Sequence, residues 1–261
     1  MTGPRAFTKT YPSALASARA AAHHAWLTRH AGPLRQPAIR AVRQHLIDFD
    51  FIEGRHATAE DLPVLAAMLA QSHAAAWVSD LHRARLDTPH PLDGSGPHAL
   101  ADFLSPRLAA LQGRRRTGHL PQATATAAER LLRSAATGSA AFYKDTNPRN
   151  ILITASGRPV VVDVDDVTLA PFGYDLAKLI VTLAMTYGLL PTSAVTSALA
   201  AYNDTLRSHS HQLAGVPLVQ LLAYADLHHV FTVPYLGRGG YRYPWPQVRP
   251  DLPLPTPEVS S

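Results

Sequence analysis

At 261 residues, with 46% hydrophobic and 16% charged residues, the chain is long enough to bury one large core or two unequal lobes. It has no cysteine, which excludes disulfides, thiolate metal sites and cysteine nucleophiles. The net charge is +5, and its distribution is uneven: Arg5, Lys9, Arg19, Arg29, Arg35, Arg40 and Arg43 fall within residues 1–47, which contain none of the 19 acidic residues. Such a segment reads as solvated surface, as a dock for an acidic protein or peptide, or as help for nucleotide phosphates. Nucleic acid is disfavoured, because neither aromatic-basic interleaving nor zinc-ligand spacing accompanies the charge. There is no apolar signal region, and no apolar run approaches about 18 residues, so a cytoplasmic chain without a membrane partner is expected.

In chain order, Arg5–Tyr11 alternates as one strand does, and Pro12-Ser13 sets a helix start with Ser13 as N-cap. The Ala-rich run 14–29 has high helix propensity and ends near Gly32-Pro33. Residues 38–42 and 46–52 read as two strands of a hairpin, with a turn at Glu53-Gly54. Thr58–Asp61 has the outline of a capping box ahead of a helix carrying Leu62, Leu65, Leu69 and His73. Residues 87–122 are rich in Pro, Gly, His and Arg; a helix is expected over 99–111, and Arg114-Arg115-Arg116 in a loop. A helix over 123–135 leads into Phe142–Ile153. Later helices are expected from Tyr174, with Asp175 as N-cap and a stripe of Leu176, Leu179, Ile180, Leu183 and Tyr187, and over 192–209 and 217–230. The tail from Pro234 reads as irregular, with Tyr241, Tyr243 and Trp245 lining an acceptor surface or packing in the core. Its Gly237–Gly240 run reads as a flexible loop.

The chemistry concentrates in two segments. Asp145 and Asn150 are separated by four residues and followed by the apolar Ile151-Leu152-Ile153. After a turn at Ser156–Pro159, the run Val160–Val162 ends on Asp163, with Asp165 and Asp166 just beyond. Phosphoryl transfer asks little covalent work of a protein: one carboxylate at the acceptor hydroxyl, and an amide oxygen plus a second carboxylate to hold Mg²⁺ against the nucleotide phosphates. Asp145, Asn150 and Asp163 have the types and spacing for those jobs. The 14 histidines show no zinc-enzyme spacing and read as surface or core groups.

The run from Tyr143 to Leu179 resembles the aminoglycoside phosphotransferase and choline kinase branch of the protein-kinase-like fold. Pro148-Arg149-Asn150-Ile151-Leu152 is similar to its Pro-x-Asn-Ile-Leu, and Val162–Asp166 to its metal segment. Tyr174-Asp175-Leu176-Ala177 is similar to its helix start, Leu69–His73 to a helix end, and Phe51–Gly54 to its hinge. The resemblance implies an α+β kinase-like fold with a small N-lobe over 1–54 and a mainly helical C-lobe over 55–261. It implies Asp145 as catalytic base, Asn150 and Asp163 as Mg²⁺ ligands, Lys9 as the strand lysine on the α- and β-phosphates, and ATP or GTP as cofactor.

Three departures from that pattern matter. Tyr143-Lys144 replaces His-Gly before Asp145 and brings a cation, Lys144, beside the base, where it can assist catalysis or else face solvent. The helix after Lys9 holds no Glu to pair with it, and His23 or His24 cannot replace that charge. Eight residues precede Lys9 and Gly3 is their only glycine, so the glycine-rich lid is expected to be missing and the N-lobe truncated. The leading expectation is a phosphotransferase completed by a partner protein, similar to the kinases of class V lanthipeptide and thioamitide maturation. Those phosphorylate Ser or Thr of a precursor peptide for a partner lyase. The alternatives are an antibiotic phosphotransferase conferring resistance, disfavoured by the few acids of the rear helices, and a pseudokinase scaffold without transfer.

Overall fold

In this computed structural model residues 5–92 and 98–252 are described. The front of the chain forms β1 (Ala6–Thr10), α1 (Ala14–His30), β2 (Ile39–Arg43) and β3 (Leu46–Asp50). Both outer strands pair antiparallel with β3, in the order β1-β3-β2, so the expected hairpin is present. Ser13 caps α1 by accepting the Ala16 N–H at 3.2 Å, which satisfies one of the amides a helix start leaves open. Gly3, on which the missing lid was argued, lies outside the described residues.

α1 is shared between two cores. Ala20 packs with Tyr11, Ile47 and Phe49 in a small cluster under the sheet. Trp26 and Leu27 instead belong to the large core behind it. The Trp26 ring meets Phe142 edge-on at 5.8 Å, and its Nε1–H donates to Asp80 at 2.7 Å. An Ala-rich helix can do this because its short side chains let both layers approach closely.

Past Gly54 come β4 (Arg55–His56), a 3-10 turn at Ala59–Asp61, α2 (Leu62–Ser79), β5 (His90–Pro91), β6 (Ala99–Leu100), α3 (Leu104–Arg116) and α4 (Gln122–Ala135). Then follow β7 (Ala140–Tyr143), β8 (Ile151–Ile153), β9 (Pro159–Val161), β10 (Thr168–Pro171), α5 (Tyr174–Tyr187), α6 (Thr192–His209), α7 (Leu218–Thr232) and the short α8 (Trp245–Val248). This is a mixed α+β fold with a small front lobe and a mainly helical rear. The hairpin β8–β9 turns at Gly157, whose φ of +74° favours glycine, and β4 adds to its outer side. The hinge therefore ends on the hairpin that carries the site.

Several expectations are corrected. Arg114–Arg116 ends α3 rather than lying in a loop, and the Arg114 guanidinium donates to the Val230 and Phe231 carbonyls that α7 leaves open. α2 runs on past His73 to Ser79. Asp175 is not a cap: Gly173, at φ +84°, holds that place, and Asp175 lies inside α5. Tyr187 leaves the buried stripe and donates its hydroxyl to the Ala57 carbonyl at 2.9 Å. Contrary to the expectation that no apolar run approaches membrane-span length, residues 59–79 reach the length and hydropathy of one, but 56% of that window is buried within the fold. That burial marks a core helix.

A Cβ at Gly54 would stand 2.8 Å from the Ile153 carbonyl oxygen and 3.3 Å from the Leu152 Cβ. Both neighbours belong to a paired strand and cannot yield without moving it. Gly54→Ala should therefore destabilise the protein by about 1–3 kcal/mol in urea denaturation. A midpoint equal to that of the parent would show that the hinge tolerates a side chain.

Candidate active site

The loop that carries Asp145, the candidate base, leaves β7 and crosses a 3-10 turn at Pro148–Asn150 before entering β8. Asn147 caps that turn by accepting the Arg149 N–H at 3.0 Å. The Asn150 amide donates to the Asp145 carbonyl at 3.2 Å, which leaves its amide oxygen for another partner. The Val162 N–H donates to the Asn150 carbonyl at 2.8 Å, so the hairpin itself brings Asn150 next to Asp163. Asp163 has φ +62°, a left-handed conformation that a side chain resists. Strain of this kind concentrates at functional positions.

Behind the loop lies a buried network around Asp175. The Gly173 N–H donates to the Tyr202 hydroxyl at 3.1 Å, and that hydroxyl donates to His73 Nδ1 at 2.8 Å. His73 Nε2–H then donates to Asp175 Oδ2 at 3.3 Å, which also accepts the Lys144 N–H. Burial pushes the Asp175 carboxyl up, against the pull of His73 and the Lys144 amide. The network fixes where the loop begins, because it bonds the residue immediately before Asp145.

Lys9 reaches the site from β1, but its partner does not come from α1. Its ammonium pairs with Asp163 and Asp165, and the Tyr11 hydroxyl donates to Asp165 at 2.8 Å. Burial works against the Lys9 charge, yet the two carboxylates hold its pKa above the ordinary range. α1 adds Arg19, paired with Asp166 at 2.9 Å, and His23. His23 Nδ1 lies 2.9 Å from the Asp165 carbonyl and 3.1 Å from the Val167 nitrogen, and Nε2 lies 3.3 Å from the Ala99 carbonyl; burial keeps the ring below its ordinary pKa. His23 thus grips the backbone of the metal segment and does not stand in for the absent Glu. Arg40 and Arg43 pair with Asp50 and Asp48. Four of the seven cations in the acid-free segment are therefore spent within the chain.

The solvated alternative for Lys144 fails: the residue is 2% exposed, and its ammonium donates to the Val162 carbonyl beside Asp163. It lies beneath the groove and braces the metal segment against the catalytic loop. Asp145 is 53% exposed in its side chain, with Lys178 Nζ 3.6 Å away. A cavity of about 350 Å³ between the lobes is lined by Lys9, Asn150, Asp163 and Asp165 at one end and by apolar Phe49, Phe51, Ile52 and Leu152 at the other. The polar end suits phosphates, and the apolar end suits a flat base. Asn150 and Asp163 offer the oxygen donors and the sparse protein share that Mg²⁺ prefers. Among the described residues there is no cluster of three or more His, Asp or Glu able to hold a metal.

Sequence reasoning missed Asp165, Tyr11 and Lys178. Tyr11 carried a signal, because residues two apart along an extended segment share a face, which places it with Lys9; Asp165 did not, because the left-handed Asp163 breaks the alternation. Lys178 lies three residues after Asp175 on α5, the helical spacing for the same face. Tyr241 is buried, accepts the Asn147 amide at 3.1 Å and packs beside the catalytic loop, whereas Trp245 is core, its Nε1–H on Asp226. Gly237–Gly240 is held by a bond from the Gly237 N–H to the Tyr241 carbonyl at 2.8 Å.

The model of the phosphotransferase enzyme family matches residues 2–215. A comparison with curated proteins finds no match. Among solved structures, the macrolide 2'-phosphotransferase of Brachybacterium faecium is similar with a TM-score of 0.58 at 16% identity, over 96% of this chain and 87% of that one. The choline kinase of Streptococcus pneumoniae has a TM-score of 0.56 at 13% identity, over 92% and 80%. A putative fructosamine-3-kinase of Thermobifida fusca has 0.56 at 17%, over 94% and 84%. At these identities the likeness is one of fold.

Burial pushes the Lys144 ammonium from an ordinary 10.5 down to about 8, although Asp163 and Asp145 pull the other way. Between those values the unfolded chain binds the proton better, so stability should rise with pH across the window. Lys178, lowered by burial too, acts in the same direction. From about pH 8 to about pH 9, below the range in which the buried tyrosines with raised pKa pull stability the other way, the gain should be on the order of 1 kcal/mol, and Lys144→Met should remove the larger part of it. Urea titrations at each pH measure this, and a flat profile for the parent protein would contradict it.

Proposed function

Since the chain belongs to the phosphotransferase enzyme family, we propose that it is an ATP-dependent O-phosphotransferase that modifies Ser or Thr hydroxyls of a precursor peptide in lanthipeptide-type biosynthesis. The observation that carries the transfer chemistry is the convergence of Lys9, Asn150 and Asp163 on one groove with Asp145 at its rim. In this reading Lys9 binds the α- and β-phosphates, and Asp145 orients the acceptor hydroxyl and takes its proton as the phosphoryl group moves. Asn150 and Asp163 would hold Mg²⁺, which when bound neutralises charge on the phosphates. Asp165 then keeps Lys9 in place when Asp163 turns to the metal. The apolar end of the groove takes the nucleotide base. A solved complex of that choline kinase with AMP supports the use of a nucleotide.

Several features support a peptide acceptor. Asp145 sits at an open rim, and Tyr235, Leu236 and Tyr243 of the neighbouring tail expose apolar surface. The rear helices offer little to a cationic drug: Asp204 is paired with Arg207, and Asp226 with Arg249. The small front lobe supports a partner that completes it. Among the described residues β1 pairs only with β3, which leaves one edge open to a strand from outside, and Phe7 on it is 54% exposed. A lyase that consumes the phosphorylated residue is the partner this reading calls for.

The test combines the chain with ATP, Mg²⁺, the precursor peptide and the neighbouring lyase. A peptide mass gain of one phosphate is expected. Asp145→Asn should slow it by about 10²–10⁴-fold, the range for loss of a general base. Full activity of the isolated chain on a small antibiotic would overturn the peptide reading, and product from Asp163→Ala would overturn the metal assignment. ATP with Mg²⁺ should also raise the melting midpoint, by the equivalent of about 2.7 kcal/mol at a hundredfold excess over Kd. A shift without transfer to any hydroxyl would point to a scaffold.

A further inference from the structure

The groove accounts for Lys9, Asn150, Asp163 and Asp165, but not for a second group of side chains on the other side of Asp145. Lys178 projects from α5 with its side chain 10% exposed. Its ammonium carries three donors, yet the nearest acceptor is the Asp145 carboxylate, at 3.6 Å and beyond hydrogen-bond length. An ammonium taken this far out of water without a bonded partner is costly, and burial lowers its pKa accordingly. A site that keeps such a group gains when an anion arrives.

Two neighbours face the same space. The Tyr241 ring lies 6.0 Å from Lys178 Nζ, and its hydroxyl accepts the Asn147 amide, which leaves the hydroxyl hydrogen free to donate. Arg149, on the turn between Asp145 and Asn150, lies against Gly240, where a Cβ would stand 3.2 Å from its Nε. Gly240 has φ +93°, so a residue without a side chain lets the tail pass closely over the guanidinium. Arg149 has no carboxylate partner among the described residues. None of Lys178, Tyr241 and Arg149 lines the nucleotide groove. What surrounds the base on its acceptor side is thus two cations and a phenol.

We propose that Lys178, Arg149 and Tyr241 form an anion-binding acceptor subsite that selects a Ser or Thr hydroxyl with a carboxylate side chain next to it. The acceptor's carboxylate would take the hydrogen bonds that Lys178 lacks, and the adjacent hydroxyl would then lie at Asp145. A cationic acceptor would meet Lys178 and Arg149 instead, with Asp145 as the one carboxylate beside them. This inference rests on the peptide phosphotransferase reading above, and binding and transfer separate the two.

The test uses the full chain and three synthetic peptides that differ only in the residues flanking one Ser: Asp, Ala or Lys. Binding is read by fluorescence anisotropy on versions with that Ser replaced by Ala, and transfer by mass spectrometry with ATP and Mg²⁺. The Asp-flanked peptide should bind about tenfold tighter than the Ala-flanked one, and the Lys-flanked peptide more weakly still. Lys178→Met should abolish that ranking while leaving the affinity for the Ala-flanked peptide and the KM for ATP unchanged. Lys178→Arg should keep it, and Arg149→Ala, on an exposed turn, should reduce it in part. Equal binding of all three peptides by the parent protein would overturn the proposal. So would a Lys178→Met variant that loses kcat equally on every peptide, because the lysine would then serve the transferring phosphoryl group. Ranked binding without transfer would retain the subsite and sink the peptide phosphotransferase reading; transfer without ranking would do the reverse.

Discussion

The structure depends on the meeting of an acid-free N-terminal segment with a short run of three aspartates. Lys9, Tyr11, Arg19 and His23 all reach Asp163–Val167, by ion pair, hydroxyl or backbone contact. Exposed ion pairs such as Arg19–Asp166 are individually weak, but Lys9 and Tyr11 are partly buried and share Asp165, so each restricts the geometry of the other. Their joint effect is to press the front lobe onto the metal segment. The groove between the lobes is framed by those contacts, which hold its two walls together.

This arrangement changes the meaning of the missing helix Glu. The resemblance implies a lysine held from the helix, whereas here Asp163 and Asp165 hold it from the segment that follows β9. The charge balance is kept, but the device is different. A lysine shared between Asp163 and Asp165 ties the two carboxylates to one cation, so whatever draws Asp163 away leaves Lys9 to Asp165 alone. Lys144 adds to this from below by binding the Val162 carbonyl.

Much of the fold was legible because it rests on local signals. Ser13 caps α1, the alternation over 5–11 forms β1, and the Gly157 turn closes β8–β9, each as its residues dictate. The candidate site was legible where spacing sets geometry, as with Asn150 and Asp163 across the hairpin. What escaped were choices made by tertiary contacts. Asp175 has the residue type of a cap but is drawn into the network of His73 and Tyr202. Arg114–Arg116 read as solvated charge because the open carbonyls of α7 that receive Arg114 lie more than a hundred residues away. Lys178 read as one more helix charge, since only the fold brings α5 against the catalytic loop.

The dual allegiance of α1 bears on how the molecule folds. The cluster under the front sheet has only Tyr11, Ala20, Ile47 and Phe49 as buried members, too few to sustain a structure alone. The helix above it commits Trp26 and Leu27 to the large core, so the front sheet acquires its stability from the rear lobe. The two lobes are then a single cooperative unit despite the hinge between them, and a nick at Glu53-Gly54 followed by separation would release no folded front lobe.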